Sequence, residues 1–594
     1  MTFTTRPELH GTFGMVASTH WIASAVGMKM LEAGGNAFDA AVAMGFVLNV
    51  VEPHLNGPGG DLPALLYHAG SGKTDVLCAQ GPAPSGATIA HYRGEGLQKI
   101  PGNGLLSTVI PGAFDGWMLM LRDHGRLSLA DVLAPAIYYA ETGHPLLRRV
   151  SDTIAELQPF FEEYWPTSAS VWCPNGQVPL AGQLFRNPDL AATWKALVAA
   201  GDGSASREDA IEQARDAFYR GFVADRIDDY LKTASVMDES GMAHRAVLTA
   251  DDMAQYSATY EAPISTDYAG WSVQKCGVWS QGPVLLQSLA ILRNFDIAAL
   301  DPNGPEFVHL ATEALKLSFA DRETYLGDPL ASEVPVETLL SADYAATRAR
   351  LISDSASQDL VPGHIGGYEA QRSLALDVIQ RHSPDNAPVY EPTMAHLAKA
   401  PGDTVHIDVV DAEGNMVSAT PSGGWLQSSP IIPGLGFALN SRAQMFWLEE
   451  GLPTSLAPGR RPRTTLSPSL AVHEDGRKLA FGTPGGDQQD QWQLAFFLRH
   501  VHHGLNLQAA IDAPLFHTSH VPASFFPRGR QSGSLTVEGS IGEETLKALK
   551  ARGHRLTVAD EWSVGRLTAV GRDADGLLRG AATPRLMQAY AIGR

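Results

Sequence analysis

Thr404 is a candidate nucleophile because it stands at the start of a predicted core strand. Residues 405–409 alternate apolar and polar side chains with the period of two that is typical of a half-buried β-strand. A turn at 412–415 and a returning strand at 416–420 complete a predicted hairpin. If the chain is cut just before Thr404, its freed α-amine, with a pKa of about 7.7–8 in peptides, is a suitable general base for the hydroxyl. Taken alone, the pattern is far more typical of an ordinary strand that begins with threonine than of a nucleophile.

Two other residue pairs have types that suit the same chemistry. Gly485 and Gly486 let backbone N–H groups approach a tetrahedral intermediate without interference from Cβ atoms. Thr464 and Thr465 offer two adjacent hydroxyls to an acceptor-rich ligand. Each pair also has a structural explanation, because a turn after a strand takes Gly-Gly and threonines in an extended loop bond to the backbone.

Together these motifs resemble the γ-glutamyltranspeptidase family of N-terminal-nucleophile hydrolases. The resemblance covers essentially the whole chain from about Gly11 onward. It implies an α+β fold, a four-layer αββα sandwich with two stacked sheets between helical layers, and no metal or organic cofactor. The segments that carry it are 14–18, 31–43, 56–60, 109–112, 320–322, 325–329, 402–411, 462–468, 481–487 and 512–514.

The resemblance implies that the chain cuts itself before its nucleophile. Thr404 takes the nucleophile position, and the Asp403–Thr404 bond is the one broken. The products are then a large subunit of residues 1–403 and a small subunit of residues 404–594, which form a heterodimer, alone or within a larger assembly.

Other catalytic and binding roles are implied by the same resemblance. Ser422 matches the hydroxyl residue that hydrogen-bonds the nucleophile, although it also fits a plain turn residue. Gly485 and Gly486 match the oxyanion hole. Thr464 and Thr465 stand where the family has paired serines on the substrate's carboxylate side.

The glutamate pocket of the family is not kept in this sequence. Gln80 stands where true transpeptidases have an arginine that clamps the α-carboxylate. Met445 stands where an acidic residue binds the α-amine, and Gly424 where an asparagine touches the same end. Charge-assisted contacts of this kind contribute about 1.5–3 kcal/mol each, so glutathione is expected to be a poor substrate.

Arg442 offers a different way to hold a carboxylate. The pattern Asn440-x-Arg442-x-x-x-Phe446 resembles the branch of the family that includes oxamate amidohydrolase, and we count Arg442 and Asn440 as candidate substrate ligands. The planar guanidinium fork suits a carboxylate. The alternative is a structural arginine that pairs with Glu449 or Glu450.

Composition excludes several functions. A net charge of -20 and a pI near 5.4 argue against nucleic acid as a partner. The N-terminal residues lack the apolar core of a signal peptide, and the apolar run 40–51 is too short to span a bilayer, so a cytoplasmic protein without membrane contact is expected. Three widely spaced cysteines, Cys78, Cys173 and Cys276, fit neither a disulfide framework nor a zinc site.

The elements that must position these residues can be predicted in outline. Two helices within 20–51 meet at Gly34-Gly35, with Asn36 as N-cap. A hairpin is predicted for 64–67 and 75–79, mostly helix for 129–293, and irregular structure for 330–400. Further predictions are helices at 305–325, 488–503 and 543–552, a hairpin turn at 474–477, and strands at 555–559, 566–571 and 577–582.

The sequence therefore predicts an autoprocessing N-terminal-threonine amidohydrolase that acts on a small amide bearing a carboxylate. One alternative is a genuine γ-glutamyl hydrolase or transpeptidase with a rebuilt pocket. Another is a processed but inactive binding protein, against which the intact Thr404, Gly485 and Gly486 argue.

Overall fold

The computed structural model describes residues 3–387 and 404–594, except for the side chain of Leu586. Its helices are Trp21–Glu32 (α1), Ala37–Val51 (α2), Ile89–Gly94 (α3), Ala113–His124 (α4), Leu129–Thr142 (α5), Arg148–Tyr164 (α6), Pro166–Trp172 (α7), Pro188–Ala200 (α8), Arg207–Tyr219 (α9), Phe222–Thr233 (α10), Ala250–Ala254 (α11), Pro283–Leu292 (α12), Pro305–Tyr325 (α13), Val336–Leu339 (α14), Ala342–Ala349 (α15), Glu369–His382 (α16), Gln489–His503 (α17), Leu507–Asp512 (α18) and Glu543–Ala551 (α19).

The strands alternate with these helices along the chain. They are Leu9–Gly11 (β1), Gly14–Ser18 (β2), Leu62–His68 (β3), Lys73–Ala79 (β4), His144–Pro145 (β5), Leu184–Phe185 (β6), Val236–Met237 (β7), Ala243–His244 (β8), Thr259–Glu261 (β9), Ile264–Tyr268 (β10), Trp271–Lys275 (β11), Ile407–Asp411 (β12), Met416–Ala419 (β13), Ser469–His473 (β14), Lys478–Gly482 (β15), Phe516–His517 (β16), Ser534–Glu538 (β17), Arg555–Ala559 (β18), Thr568–Arg572 (β19), Leu578–Ala582 (β20) and Tyr590–Gly593 (β21).

Two seven-stranded antiparallel sheets form the centre of the molecule. One has the order β21-β2-β12-β13-β3-β4-β9, and the other β1-β20-β19-β15-β14-β11-β10. Helices α1 and α2 pack their apolar side chains on the first sheet, and α12, α13 and α17 pack on the second. A third apolar cluster, which includes Met15, Leu65, Val410 and Leu470, fills the space between the sheets. This arrangement confirms the predicted αββα sandwich.

Local signals explain why the first two helices form where the sequence predicts them. The side chain of Asn36 accepts hydrogen bonds from Phe38 N and Asp39 N, and Asp39 reaches back to Asn36 N, which is a capping box. Helix α2 is buried along its whole length because α1, α4 and α5 pack around it. The sequence prediction for 20–51 is therefore confirmed.

Two predictions of secondary structure need correction. The segment 330–400, predicted to be irregular, contains α14, α15 and α16 in its described part, which ends at residue 387. Helix α15 begins with Ser341, whose hydroxyl accepts from Tyr344 N, a cap that the mixed composition obscured. The segment 129–293, predicted to be mostly helical, also contains the antiparallel strands β9, β10 and β11. None of the helices in the described ranges is both long and apolar enough to cross a membrane.

Strand β12, which comes after Thr404, is buried on both faces and not on one as the alternation predicted. It lies between β2 and β13. Ile407 and Val409 meet the helices, whereas Asp408 and Val410 face the opposite sheet. His406 lies 2.9 Å from both Thr420 Oγ1 and Asp408 Oδ1, and Thr568 Oγ1 donates to Asp408 Oδ2 at 2.7 Å. This buried polar network joins β12 and β13 to β19 of the facing sheet.

The network leaves no room for a side chain at Gly482, the last residue of β15. A Cβ at this position would lie 2.2 Å from the His406 ring. We expect Gly482→Ala to destabilise the protein by about 1–3 kcal/mol through overpacking and to lower its unfolding temperature. Gly366→Ala is the control, because a Cβ there meets nothing within 4 Å. Equal unfolding temperatures for the two variants would contradict this packing.

Candidate functional site

The register of the first sheet places four residues of the candidate site in one row, just beyond the ends of its strands. Ile407 pairs with Ala419, Ala419 with Ala64, and Ala64 with Leu77. The residues of the candidate site lie three residues further along each chain segment, all at the same end of the sheet. In strand order they are Thr404, Ser422, Asp61 and Gln80.

Thr404 is held by its neighbour in this row. Its Oγ1 donates to Ser422 Oγ at 3.1 Å, and both residues are buried. Val405 N donates to Pro421 O at 3.2 Å, so hairpin pairing continues up to the candidate nucleophile. The predicted contact between Thr404 and Ser422 is therefore present in the structure. Asp403, the other half of the predicted scissile bond, lies outside the described residues.

Gly485 and Gly486 form a tight turn after β15, on the sheet that faces Thr404. Their φ angles are 125° and 48°, which favour glycine, and a Cβ at Gly485 would lie 2.2 Å from the Trp492 ring. Gln281 Nε2 donates to Gly486 O at 3.0 Å. The turn leads directly into α17, and the N-terminus of a helix favours negative charge. This rigid turn suits the oxyanion role, which stays a prediction.

The two threonines before β14 differ in how far their hydroxyls are already used. Thr464 Oγ1 accepts from Leu466 N at 3.3 Å, and Thr464 N donates to Trp279 O at 2.9 Å. Thr465 Oγ1 is buried and has no hydrogen-bond partner in the described part of the chain. Thr465 is therefore the better placed of the two to meet a ligand.

Arg442 pairs with an acid that the sequence analysis missed. Its Nε lies 3.1 Å from both carboxylate oxygens of Asp61, and both residues are 1% exposed. Burial raises the pKa of Asp61, and the Arg442 guanidinium opposes that shift. Glu449 bonds instead to Arg93 and Arg381, so the predicted alternative for Arg442, a pair with Glu449 or Glu450, is not observed.

The rest of the Arg442 guanidinium is available. Its two terminal nitrogens are buried without a hydrogen-bond partner among the described residues, and its carbon lies 5.0 Å from the centre of the Trp425 ring. Asp61 and Ser422 exchange backbone hydrogen bonds of 2.8 and 3.1 Å. The free guanidinium edge is thus tied, through Asp61, to the residue that bonds Thr404.

Asn440 is not available to a substrate. Its Oδ1 accepts from Val109 N and Arg442 N, and its Nδ2 donates to Gly59 O and Val109 O. These four bonds use the whole capacity of the amide, so the predicted substrate-binding role is replaced by a structural one. Asn440 fixes the loop that carries Arg442.

Gln80 belongs to the same row but lies at its far end from Thr404. Three strand spacings separate the two residues, or about 14 Å. Gln80 lines a cavity of about 500 Å³ with Cys78, Tyr256 and Arg461, and the described lining includes neither Thr404 nor Arg442. A glutamine side chain cannot bridge this separation, so contact of Gln80 with a substrate at Thr404 stays a prediction.

Met445, the other departure from the family pattern, stands where the family has an acidic residue. Met445 packs with Trp425 and Phe525 in a buried apolar cluster. An ammonium group placed there would lose its hydration without gaining a charged partner.

The sequence analysis missed Asp61 for a physical reason. It comes directly after the quoted motif 56–60, but its partner Arg442 is 381 residues away. A glycine-rich motif with an acid at its end was the only available signal.

Comparisons with known proteins agree with this geometry. The sequence model of the Gamma-glutamyltranspeptidase family matches residues 23–593. The glutathione hydrolase-like YwrD proenzyme of Bacillus subtilis is 32% identical over 583 residues, which cover 97% of each chain. The oxamate amidohydrolase proenzyme of Klebsiella pneumoniae is 30% identical over 584 residues, again 97% of each chain. The solved structure of LmbA2991HD is 52% identical, with a TM-score of 0.93 and 100% of both chains covered.

The buried Asp61–Arg442 pair can be tested by unfolding. We expect Asp61→Asn to cost about 3–5 kcal/mol, because it leaves the Arg442 charge buried without its partner. The double variant Asp61→Asn, Arg442→Gln removes both charges and should recover much of that loss in urea unfolding. Arg93→Gln, at an exposed pair, should cost under about 1 kcal/mol. Additive effects of the two site substitutions would contradict the coupling.

Proposed function

We propose that this chain, which belongs to the gamma-glutamyltranspeptidase family, uses Thr404 to hydrolyse a small amide whose acyl part carries a carboxylate. Its family membership makes it an amide-hydrolysing enzyme of the N-terminal-nucleophile class, produced as a proenzyme that matures into two associated subunits. The identity of the nucleophile, the cleavage point and the substrate are the proposal.

The proposed reaction has two halves. Thr404 Oγ attacks the amide carbon while the α-amine of the same residue takes the hydroxyl proton, and the N–H groups of Gly485 and Gly486 hold the oxyanion. The amine then gives the proton to the departing nitrogen, which leaves an ester on Thr404. Water, activated by the same amine, hydrolyses this ester. Ser422 orients the hydroxyl through the 3.1 Å hydrogen bond.

The observation that carries the substrate class is the unpartnered edge of the Arg442 guanidinium. Two parallel N–H groups fit the two oxygens of a carboxylate, and such charge-assisted pairs are strong when buried. Thr465 offers a further hydroxyl. The similarity to an oxamate amidohydrolase, whose named substrate carries a carboxylate beside its amide, supports the same class.

The second candidate function is hydrolysis of glutathione, as the name of the YwrD relative suggests. The apolar surroundings of Met445 argue against it, because the ammonium of a γ-glutamyl group would be buried unpaired. An inactive binding protein is disfavoured by the intact hydrogen bond between Thr404 and Ser422.

Self-cleavage tests the nucleophile. The purified protein should give two bands, residues 1–403 and 404–594, with threonine as the new N-terminus by Edman sequencing. Thr404→Ala should give one uncut chain because it removes the attacking oxygen. Thr404→Ser, which keeps a hydroxyl, is the matched control and should still be cut. Efficient cleavage of the alanine variant would show that another residue is the nucleophile.

Specificity tests the Arg442 pocket. We expect kcat/KM for an N-substituted oxamate to exceed that for a γ-glutamyl amide by at least about tenfold, which requires ~1.4 kcal/mol of discrimination. The double variant Asp61→Asn, Arg442→Gln should lower kcat/KM for the oxamate about tenfold or more while self-cleavage still goes to completion. Preference for glutathione, or an unchanged double variant, would refute this pocket.

A further inference from the structure

Two histidines and a glutamate that the proposed mechanism does not use lie together where the end of α19 meets α13. His309 and Glu313 are four residues apart on α13, so they share one face of that helix. His554 follows the C-terminal end of α19. All three residues are buried, and a ring nitrogen of each histidine and a carboxylate oxygen of Glu313 lie within 4.8 Å of one another. We call this group the α13–α19 cluster.

Hydrogen bonds determine where the histidines of this cluster carry their protons. His309 Nε2 lies 2.7 Å from Ser353 O, and a carbonyl oxygen only accepts, so in the neutral imidazole Nε2 carries the proton and Nδ1 presents a lone pair. His554 Nε2 lies 2.9 Å from that lone pair and donates to it. His554 Nδ1 is then a second lone pair, which is buried and has no hydrogen-bond partner among the residues that the structure describes. The two histidines alone therefore leave an acceptor unmet, at a cost of about 1–3 kcal/mol.

The spacing of the three side chains is close to that of zinc ligands. Zinc binds imidazole nitrogen and carboxylate oxygen at about 2.0–2.2 Å, so the ligand atoms of a tetrahedral ion lie ~3.3 Å apart. The two ring nitrogens, at 2.9 Å, need to separate by only a few tenths of an ångström. Rotation of the Glu313 side chain can bring its oxygen, at most 4.8 Å away, into the same range. Ser353 O already holds the outer nitrogen of His309, as second partners of zinc-bound histidines usually do.

Glu313 has capacity for an ion beside its present partners. Its Oε1 accepts from Lys316 Nζ at 2.6 Å, and its Oε2 accepts from Ser357 N at 3.1 Å. An ionised carboxylate has about four lone-pair sites, so about two remain. Lys316 Nζ also donates to Ser357 O at 3.0 Å, so it keeps a partner if an ion draws the carboxylate away.

The charges around the cluster are nearly balanced. Arg552 pairs with Glu306 at 2.8 Å and lies 3.6 Å from Asp354. The two cations Lys316 and Arg552 thus face three carboxylates, of which Glu313 is one. Lys316 opposes a divalent ion most directly, because its ammonium is bonded to a side chain that the ion needs.

We propose that the α13–α19 cluster binds a zinc ion through His309, Glu313 and His554, with water as the fourth ligand. Imidazole nitrogen together with carboxylate oxygen suits zinc. Calcium and magnesium instead prefer shells made of oxygen atoms.

The position of the cluster gives the ion a structural role. Arg322, further along α13, contacts Asp487 beside the turn of Gly485 and Gly486. His309 lies about 20 Å from Arg322 along the helix, at 1.5 Å per residue, so the ion is remote from that turn. What it joins is the start of α13, the carbonyl of Ser353 through His309, and the chain after α19.

The ion would also hold the two proposed subunits together. His309 and Glu313 precede residue 404, and His554 follows it. After a cut before Thr404, the ion would be a bond between the two products. This consequence rests on the proposed function, whereas zinc binding itself does not.

Competition with a chromophoric chelator tests the site on untagged protein from which metal has been removed with EDTA. We expect one zinc ion per chain, with a dissociation constant below about 10 µM. His309→Ala and His554→Ala should each weaken binding by at least about tenfold. His554→Gln keeps a polar side chain in the same space and should weaken it as much, since an amide is a poor zinc ligand. His364→Ala is the control, because His364 pairs with Glu369 at the surface and should leave the affinity unchanged.

Lys316→Gln separates a metal site from a pair of histidines that only bond to each other. Removal of the competing ammonium should tighten zinc binding by at least about tenfold. Zinc should also raise the unfolding temperature of the wild type and leave that of His554→Ala unchanged, because an ion that binds only the folded state stabilises it.

The outcomes distinguish this inference from the proposed cleavage. The uncut Thr404→Ala chain should bind zinc as tightly as the mature protein, so failure of the cleavage would leave the site intact. Absence of a tightly bound zinc ion from both the wild type and Lys316→Gln would overturn the site. Unchanged affinity in His309→Ala and His554→Ala would overturn it as well, because the ion would then be bound elsewhere.

Discussion

The arrangement of the site depends on the burial of β12 on both of its faces. A strand in this position must satisfy its polar side chains inside the protein, because water does not reach them. His406 and Asp408 do so through hydroxyls of Thr420 and Thr568, and the latter belongs to the facing sheet. The same bonds fix the start of β12, and with it Thr404, against the turn that carries Gly485. The alignment of Thr404 with the Gly485 turn is therefore a consequence of core packing.

The topology also explains how a cut before Thr404 can leave the fold intact. In the first sheet, β12 lies between β2 and β13, and β13 pairs with β3, so strands from both sides of residue 404 alternate. The second sheet likewise pairs β11 with β14 and β1 with β20. Separation of the two products would expose both sheet cores. Exposing that apolar surface to water would cost far more free energy than is lost when one peptide bond is cut.

The sequence was sufficient for features that depend on local pattern or on a resemblance along the chain. The Asn36 cap, the β3–β4 hairpin and the contact between Thr404 and Ser422 belong to this group. It was not sufficient for pairings between distant residues. The Asp61–Arg442 pair spans 381 residues, and Asn440 loses its predicted role because four backbone atoms from three segments converge on it. The distance of Gln80 from Thr404 could not be predicted either, because an alignment gives no distances across a sheet.

The acidic surface of the protein and the buried guanidinium of Arg442 act on a bound anion over different distances. The chain has a net charge of -20, yet the buried Arg442 guanidinium, paired with Asp61, keeps two terminal nitrogens without hydrogen-bond partners among the described residues. Exposed surface charges are screened over about 8 Å at physiological ionic strength, whereas buried charges are screened much less. An anion beside Arg442 would therefore interact mainly with that adjacent guanidinium. The net charge argues against nucleic acid as a partner, because that requires an extended basic surface, but it does not argue against a small anion that binds within a buried pocket.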